Sequence, residues 1–178
     1  MHLIGLTGKA RSGKTTVSKM LEIYGYTALS FAAPIKAMLS VIGLDEPADK
    51  EAPLPALNLS YRQLAQTLGT EWGRTLHPDL WLILLDATLK NLPHDAKIVI
   101  TDVRFENEAN WIRQHGTLWH ITRPNHTNNV RAHSSENGIQ YQPGETFIVN
   151  DNTLNHLWVN VAAAVIRTAA ANPTPGLH

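Results

Sequence analysis

The amino-acid sequence predicts an α/β protein built on a doubly wound, five-stranded parallel sheet, and three features carry that prediction. Segments with strand character alternate with segments of helical spacing, the order that builds parallel sheets flanked by helices. A continuous apolar run such as Lys97-Ile98-Val99-Ile100-Thr101 suits a strand covered on both faces. Between the first strand and the first helix stands Gly8-Lys9-Ala10-Arg11-Ser12-Gly13-Lys14-Thr15, which fits the phosphate-binding pattern of Gly, four residues, then Gly-Lys-Thr, in the strand, loop and helix setting that the pattern requires.

His2 to Thr7 reads as the buried first strand, and Thr16 to Glu22 as helical, with apolar Val17, Met20 and Leu21. Gly25 breaks that helix, and Tyr26 to Phe31 is a second strand rich in β-formers. Pro34 suits the first turn of a helix whose stripe is Ile35, Met38, Leu39 and Ile42, ending at Gly43. Leu44 to Asn58 holds Pro47, Pro53 and Pro55 and is expected to be irregular. Ser60 suits the N-cap of a helix carrying Leu64, Ala65 and Leu68 that leads into Leu68-Gly69-Thr70-Glu71-Trp72-Gly73-Arg74. A further helix is expected from about His77 to Asn91, with Pro78 in its first turn and much of its surface buried.

Pro93 closes that helix, and the third strand, Lys97 to Thr101, delivers Asp102-Val103-Arg104 at its carboxyl end. Phe105 to His115 has helical spacing, with Ala109, Trp111 and Ile112 facing inward and Gly116 as cap. Thr117 to Thr122 is the fourth strand. Arg123 to Gly144 is polar and longer than a plain connection needs, and loops of that kind are often lids. Thr146 to Asn150 is the fifth strand, Thr153 to Ala170 the last helix, and 172–178 a disordered tail. The whole reads as one domain over residues 1–171, with about 44–92 as a helical region and 123–144 as the lid excursion.

Fifteen basic and fifteen acidic side chains cancel, so no global field recruits nucleic acid or an anionic membrane. The absence of cysteine excludes disulfides, thiolate metal sites and thiol catalysis. Nine histidines occur, none in the spacing that places two ligands on one helical face. Nothing resembles a secretory signal or a membrane span, and a cytoplasmic protein is expected.

The chemistry expected of the loop follows from its residue types. Gly8 and Gly13 permit backbone angles and a close approach that a side chain would forbid, so successive N–H groups turn inward around a phosphate. The positive end of the next helix points at the same place, the Lys14 ammonium reaches the outer phosphates, and the Thr15 hydroxyl ligates magnesium. Phe31, Asp102, Arg104, Arg123, Asn150 and Asp151 all fall at or just past strand ends, where ligands of such sheets sit. Asp102 suits a second magnesium contact and Arg104 a bidentate phosphate clamp; otherwise Asp102 caps the following helix and Arg104 pairs with Glu106 or Glu108. Arg62, Gln66, Thr70, Glu71, Trp72 and Arg74 offer charge, an amide and a stacking face, or equally the solvated side of an amphipathic helix. Arg123, Arg131, His133, Ser134, Ser135 and Glu136 belong to the polar excursion, whose arginines would stabilise a transferring phosphoryl group on closure.

These pieces together resemble the bacteriophage deoxynucleoside monophosphate kinases, a branch of the P-loop nucleoside monophosphate kinase superfamily. The resemblance runs along nearly the whole chain: Ile4 through Lys14, Phe31-Ala32-Ala33-Pro34-Ile35-Lys36, Leu64 to Arg74 with His77-Pro78-Asp79-Leu80-Trp81, Thr101 to Phe105 with Asn107-Glu108-Ala109, His133 to Glu136, and Ile148-Val149-Asn150. The Leu68 to Arg74 block is the most particular. The resemblance implies transfer of the γ-phosphoryl group of ATP, with Mg2+, to a deoxynucleoside monophosphate. It implies that Gly8, Ala10, Arg11, Ser12, Gly13, Lys14, Thr15, Thr16, Arg123 and Asn150 serve ATP and that Thr15 and Asp102 serve the metal. It further implies Lys14, Arg104, Arg123 and Arg131 as the charges at the transferred group. Phe31, Lys36, Arg62, Gln66, Thr70, Glu71, Trp72, Arg74, Trp81, Asp102 and Arg104 then line the acceptor side, with Tyr61, Trp72 and Trp81 able to exclude a ribose 2′-hydroxyl. The loop departs from the family at Ala10-Arg11, where a small pair is common, and Arg11 either adds a phosphate contact or faces solvent. Small-molecule nucleotides are the expected partners, and homodimer formation is left open. Phosphomevalonate or dephospho-coenzyme A as acceptor, and a non-catalytic ATP-binding sensor or assembly module, are the other readings.

Overall fold

The computed structural model describes residues 1–55, 57–124 and 138–171. In chain order the elements are β1 (His2–Thr7), α1 (Lys14–Ile23), β2 (Thr27–Leu29), α2 (Ala33–Val41), β3 (Pro53–Leu54), β4 (Leu59–Ser60) and α3 (Tyr61–Gln66). A π-helical stretch (Thr67–Gly73) follows, then α4 (Arg74–Leu76), α5 (Leu80–Leu89), β5 (Lys97–Ile100), α6 (Glu106–His115), β6 (Thr117–Thr122), β7 (Thr146–Val149) and α7 (Leu154–Ala171).

Five strands form one sheet in the order β2-β5-β1-β6-β7. β1 pairs in parallel with β5, Gly5 opposite Ile100, and with β6, Thr7 opposite His120; β6 pairs in parallel with β7, Thr122 opposite Val149. The chain lays β2 and β5 on one side of β1 and β6 and β7 on the other. The strand order therefore reverses at β1, and the crevice beyond its carboxyl end is where such sheets bind ligands.

Alternation along β1 sets what covers each face. Ile4 and Leu6 join Val99, Trp119, Ile121 and Ile148 in a core closed by Val17, Met20 and Leu21 of α1 and Leu157, Val161 and Ala164 of α7. On the other face a Cβ at Gly5 would stand 2.8 Å from a methyl of Ile112, so α6 packs directly on strand backbone. Gly116 ends α6 with φ −172°, an extended angle open to any residue; its reason is contact, since a Cβ there would stand 2.2 Å from the Leu3 carbonyl oxygen.

The chain packs as two compact units, Met1–Ala28 with the segment from Pro93 onward, and Leu29–Leu92. The sheet, except Leu29 at the end of β2, and α1, α6 and α7 belong to the first, and α2 to α5 to the second. In the second, the stretch expected to be irregular contributes β3 to a small antiparallel ribbon with β4, which follows just beyond it. Ser60 caps α3 as expected: its hydroxyl accepts from Gln63 N–H at 3.2 Å while Gln63 Oε1 accepts from Ser60 N–H at 2.8 Å.

Two expectations for the next helix are corrected. It starts at Leu80, because His77 is extended (φ −156°, ψ 128°) and the His77-Pro78-Asp79 turn stands before it. Pro78 therefore lies ahead of the first turn. The helix is buried along Trp81, Leu85 and Leu89, whereas Ile83 and Leu84 are exposed. Among the described residues no helix is long and apolar enough to cross a membrane.

Candidate active site

The loop after β1 is a cradle shaped by its neighbours. Gly8 (φ 144°) and Gly13 (φ 107°) hold angles that side-chain-bearing residues rarely adopt. A Cβ on Gly8 would lie 2.1 Å from the Ile121 carbonyl oxygen, and one on Gly13 would lie 2.5 Å from Asn150 Nδ2. Arg11, not a glycine, is also left-handed, with φ 63°. Strain of that kind costs about 1–3 kcal/mol and persists where surrounding structure enforces it. The Lys14 ammonium donates to the carbonyls of Gly8 (2.6 Å) and Lys9 (2.9 Å), which places it along the loop. Ser12 Oγ is buried and has no hydrogen-bond partner among the described residues. A cradle that a Cβ would fill, an orphaned hydroxyl, a helix N-terminus and an ammonium together fit a polyphosphate.

A cavity of about 380 Å³ opens beside this loop. The expected residues Arg11, Gly13, Lys14, Thr15, Thr16, Arg123 and Asn150 line it, joined by Asn152, Leu154 and Leu157, which the sequence does not single out. The wall beyond the polar loop is thus part aliphatic, which suits the flat apolar faces of a nucleoside. The last strand's exit and the start of α7 are visible in the sequence, but nothing local marks which of their residues face β1. Asn150 N–H donates to Thr122 O at 2.8 Å, extending the β6–β7 ladder, and its side-chain amide donates to Ser12 O at 3.0 Å.

Asp102 and Arg104 follow β5, the strand beside β1, and Val103 N–H donates to Leu6 O at 3.1 Å, so this segment continues alongside β1. The N-cap residue of α6 is Phe105. Buried Glu108 reaches back over this end, its Oε2 accepting from the N–H groups of Arg104 (2.8 Å) and Phe105 (3.1 Å). The sequence reading gives Glu108 no capping role; a glutamate at the third helical position was the available signal. Glu106 is engaged by Arg113 Nη1 at 3.0 Å and by Gln140 N–H at 2.9 Å. Among the described residues no three His, Cys, Asp or Glu side chains group to hold a metal ion. The Thr15 hydroxyl and Asp102 carboxylate are nevertheless hard oxygen donors of the type magnesium takes when phosphates supply the rest.

In the second unit the expected acceptor residues separate by exposure. Phe31 (3 %) and Trp81 (4 %) belong to the packing. Trp81 Nε1 donates to Gly69 O at 2.7 Å, and a Cβ on Gly73 would strike its ring at 2.2 Å, so Trp81 braces the π-helical stretch. Tyr61 is likewise buried, at 2 %, whereas Trp72 is 46 % exposed. Of the three aromatic candidates for sugar discrimination, Trp72 alone is accessible. Lys36 pairs with Glu46 at 2.8 Å and Arg62 with Glu51, while Arg74 Nη1 donates to Pro78 O at 2.8 Å. Gln66 Nε2 is buried without a partner among the described residues. Thr70 and Glu71 lie in the π-helical stretch, a distortion frequent at functional sites. Arg131, His133, Ser134, Ser135 and Glu136, with most of the expected lid, lie outside the described residues.

A glycine-rich anion cradle at the strand-order reversal of a parallel sheet defines a P-loop protein. The deoxynucleotide monophosphate kinase family model matches residues 49–161, a span that begins beyond the loop and includes the π-helical block. A putative deoxynucleotide monophosphate kinase of Acanthamoeba polyphaga mimivirus is 32 % identical over 200 aligned positions, covering 97 % of this chain and all of that protein. The deoxynucleoside-5′-monophosphate kinase of Escherichia phage T5 is 43 % identical over 67 positions, 37 % of this chain and 26 % of that one. The chain belongs to the deoxynucleotide monophosphate kinase family. Among solved structures, dephospho-CoA kinase from Campylobacter jejuni superposes with a TM-score of 0.50 at 11 % identity, covering 96 % of this chain and 98 % of that one, a likeness of fold alone.

Proposed function

We propose that the protein transfers the γ-phosphoryl group of ATP to the phosphate of a deoxynucleoside monophosphate, giving the diphosphate and ADP. The observation that carries this reading is the phosphate cradle built around Gly8, Ser12, Gly13 and Lys14 in a chain of this family. An acceptor phosphate oxygen forms the new bond to the γ-phosphorus as the bond to the bridging oxygen breaks, so no protein nucleophile is required. Catalysis is alignment and charge neutralisation. The loop N–H groups fix the donor, and the Lys14 ammonium moves from loop carbonyls to the outer phosphates. Arg104 and Arg123 add positive charge, and the aliphatic wall of Leu154 and Leu157 takes the nucleoside. Magnesium, held by Thr15 and Asp102 with the phosphates, would neutralise charge on the donor.

On the acceptor side, Arg62 and Arg74 are assigned to the phosphate, Gln66 to a base edge, and exposed Trp72 to the sugar or base face. The buried Gln66 Nε2, unpartnered among the described residues, supports the second assignment. Cytoplasmic nucleotides are the proposed partners.

The test is ADP release from magnesium-ATP with each common ribo- and deoxynucleoside monophosphate, and with phosphomevalonate and dephospho-coenzyme A. Turnover dependent on a deoxynucleoside monophosphate is expected. Turnover with only one of the last two acceptors, or ATP binding with no acceptor-dependent ADP release, overturns the reading.

A further inference from the structure

The phosphate loop is braced from the far end of the chain. Ser12 stands between two left-handed residues, Arg11 (φ 63°) and Gly13 (φ 107°). The α1 ladder opens with Val17 N–H to Gly13 O at 3.0 Å, so the Ser12 carbonyl lies ahead of it. Asn150 Nδ2 donates to that carbonyl at 3.0 Å, across 138 positions of sequence. Asn150 is itself tied to the sheet by its N–H, which donates to Thr122 O at 2.8 Å.

One hydrogen bond has a large consequence here because of peptide planarity. The Ser12 carbonyl and the Gly13 N–H share one trans peptide plane and point in opposite directions, so holding the first orients the second. Gly13 tolerates angles on both sides of the φ map, and its own torsions do not prevent that plane from flipping. A flip would replace an N–H facing the anion with a carbonyl oxygen, exchanging attraction for repulsion at the centre of the nest. The place a Cβ of Gly13 would take is only 2.5 Å from the same Nδ2, so the amide is seated against the peptide it holds.

From this we infer that Asn150 is a positioning residue for the phosphoryl donor, acting through the Ser12–Gly13 peptide. The inference rests on the loop being the donor's phosphate site, and it refines the sequence-based placing of Asn150 as a direct ATP contact. Asn150 lines the cavity as well, so direct contact with the nucleoside is the rival role, and the two roles differ in which part of ATP they affect.

Asn150→Ala removes the amide, and Asn150→Leu removes the donor at nearly constant volume, which guards against a fold defect in either one. Calorimetry of the full-length proteins with inorganic tripolyphosphate and with adenosine is combined with steady-state kinetics. The expected result is that both variants weaken tripolyphosphate and raise the ATP KM by about tenfold, the scale of one hydrogen bond. Adenosine affinity and acceptor KM stay at wild-type values. In wild-type protein the Gly13 amide resonance shifts on adding tripolyphosphate, and in the variants that shift is lost. Unchanged tripolyphosphate affinity in a folded variant overturns the inference, and so does a loss that appears equally with adenosine. If wild-type protein binds no tripolyphosphate, the reading of the loop itself fails, a result distinct from failure of Asn150 alone.

Discussion

At Gly8 the need for glycine comes from both its angle and its neighbour. The φ of 144° disfavours a side chain, and the obstacle 2.1 Å from the Cβ position is a backbone carbonyl of β6, which cannot rotate away. Gly8→Ala is therefore expected to lose about 2 kcal/mol or more of folding stability, measured by urea denaturation. Lys14 is different because its ammonium is held by loop carbonyls, and its worth lies in the charge that develops during transfer. Lys14→Ala should fold normally and lose roughly 100-fold or more in kcat, about 3 kcal/mol; near-normal turnover would remove the loop from the catalytic account. Arg11 separates two contributions. Arg11→Gly should relieve left-handed strain and stabilise the fold by about 1 kcal/mol, while the ATP KM rises from loss of the cation at the cavity wall. An unchanged ATP KM would place the guanidinium in solvent.

At the scale of elements, the π-helical stretch and its tryptophan form one device. Trp81 of α5 donates to Gly69 and packs against Gly73, while Trp72, one position before that glycine, is left exposed. Trp81→Phe would remove the side-chain hydrogen bond on the Gly69 carbonyl, at about 1 kcal/mol of stability, and is expected to raise the acceptor KM while sparing that of ATP. A second device ties residues 140–145 to α6 and β6. Arg113 of α6 donates from Nε to Glu145 Oε1 at 2.7 Å and from Nη2 to Gln140 O at 2.9 Å, while Glu145 Oε2 meets His120 Nε2 of β6 at 2.7 Å. Burial alone would raise the Glu145 carboxyl, but hydrogen bonds from Arg113, Gln142 N–H and His120, with the Arg113 charge, outweigh it and hold the carboxyl below its ordinary value. A depressed carboxyl contributes stability that is fully present above its unfolded value, about 4.3, and is lost as pH falls through the folded one. Thermal melts from pH 7 down to 3 should therefore converge for wild type and Glu145→Gln; a constant gap across that range would contradict the linkage.

For the whole molecule, the expected division of labour gives a kinetic signature. Arg74→Ala should raise the acceptor KM and lower kcat with little change in the ATP KM, whereas a loss confined to ATP would mean that acceptor recognition has been assigned to the wrong unit. Arg74→Lys, which keeps the charge, helps to separate phosphate recognition from bracing of the Pro78 carbonyl. Local pattern alone determined much of the molecule. The strands His2–Thr7 and Thr117–Thr122, the Ser60 cap and the phosphate loop were all legible, because period, capping chemistry and glycine placement act between residues close in sequence. The resemblance to the phage kinases was legible for the same reason, since its motifs are contiguous. Tertiary structure decided which residues lose their freedom to meet a ligand. Trp72 and Trp81 are the same residue type nine positions apart, yet packing on Gly73 takes one and leaves the other exposed. Asn150 and Ser12 share a hydrogen bond that no local pattern encodes, because their proximity exists only once β6 has placed the last strand two positions from the first.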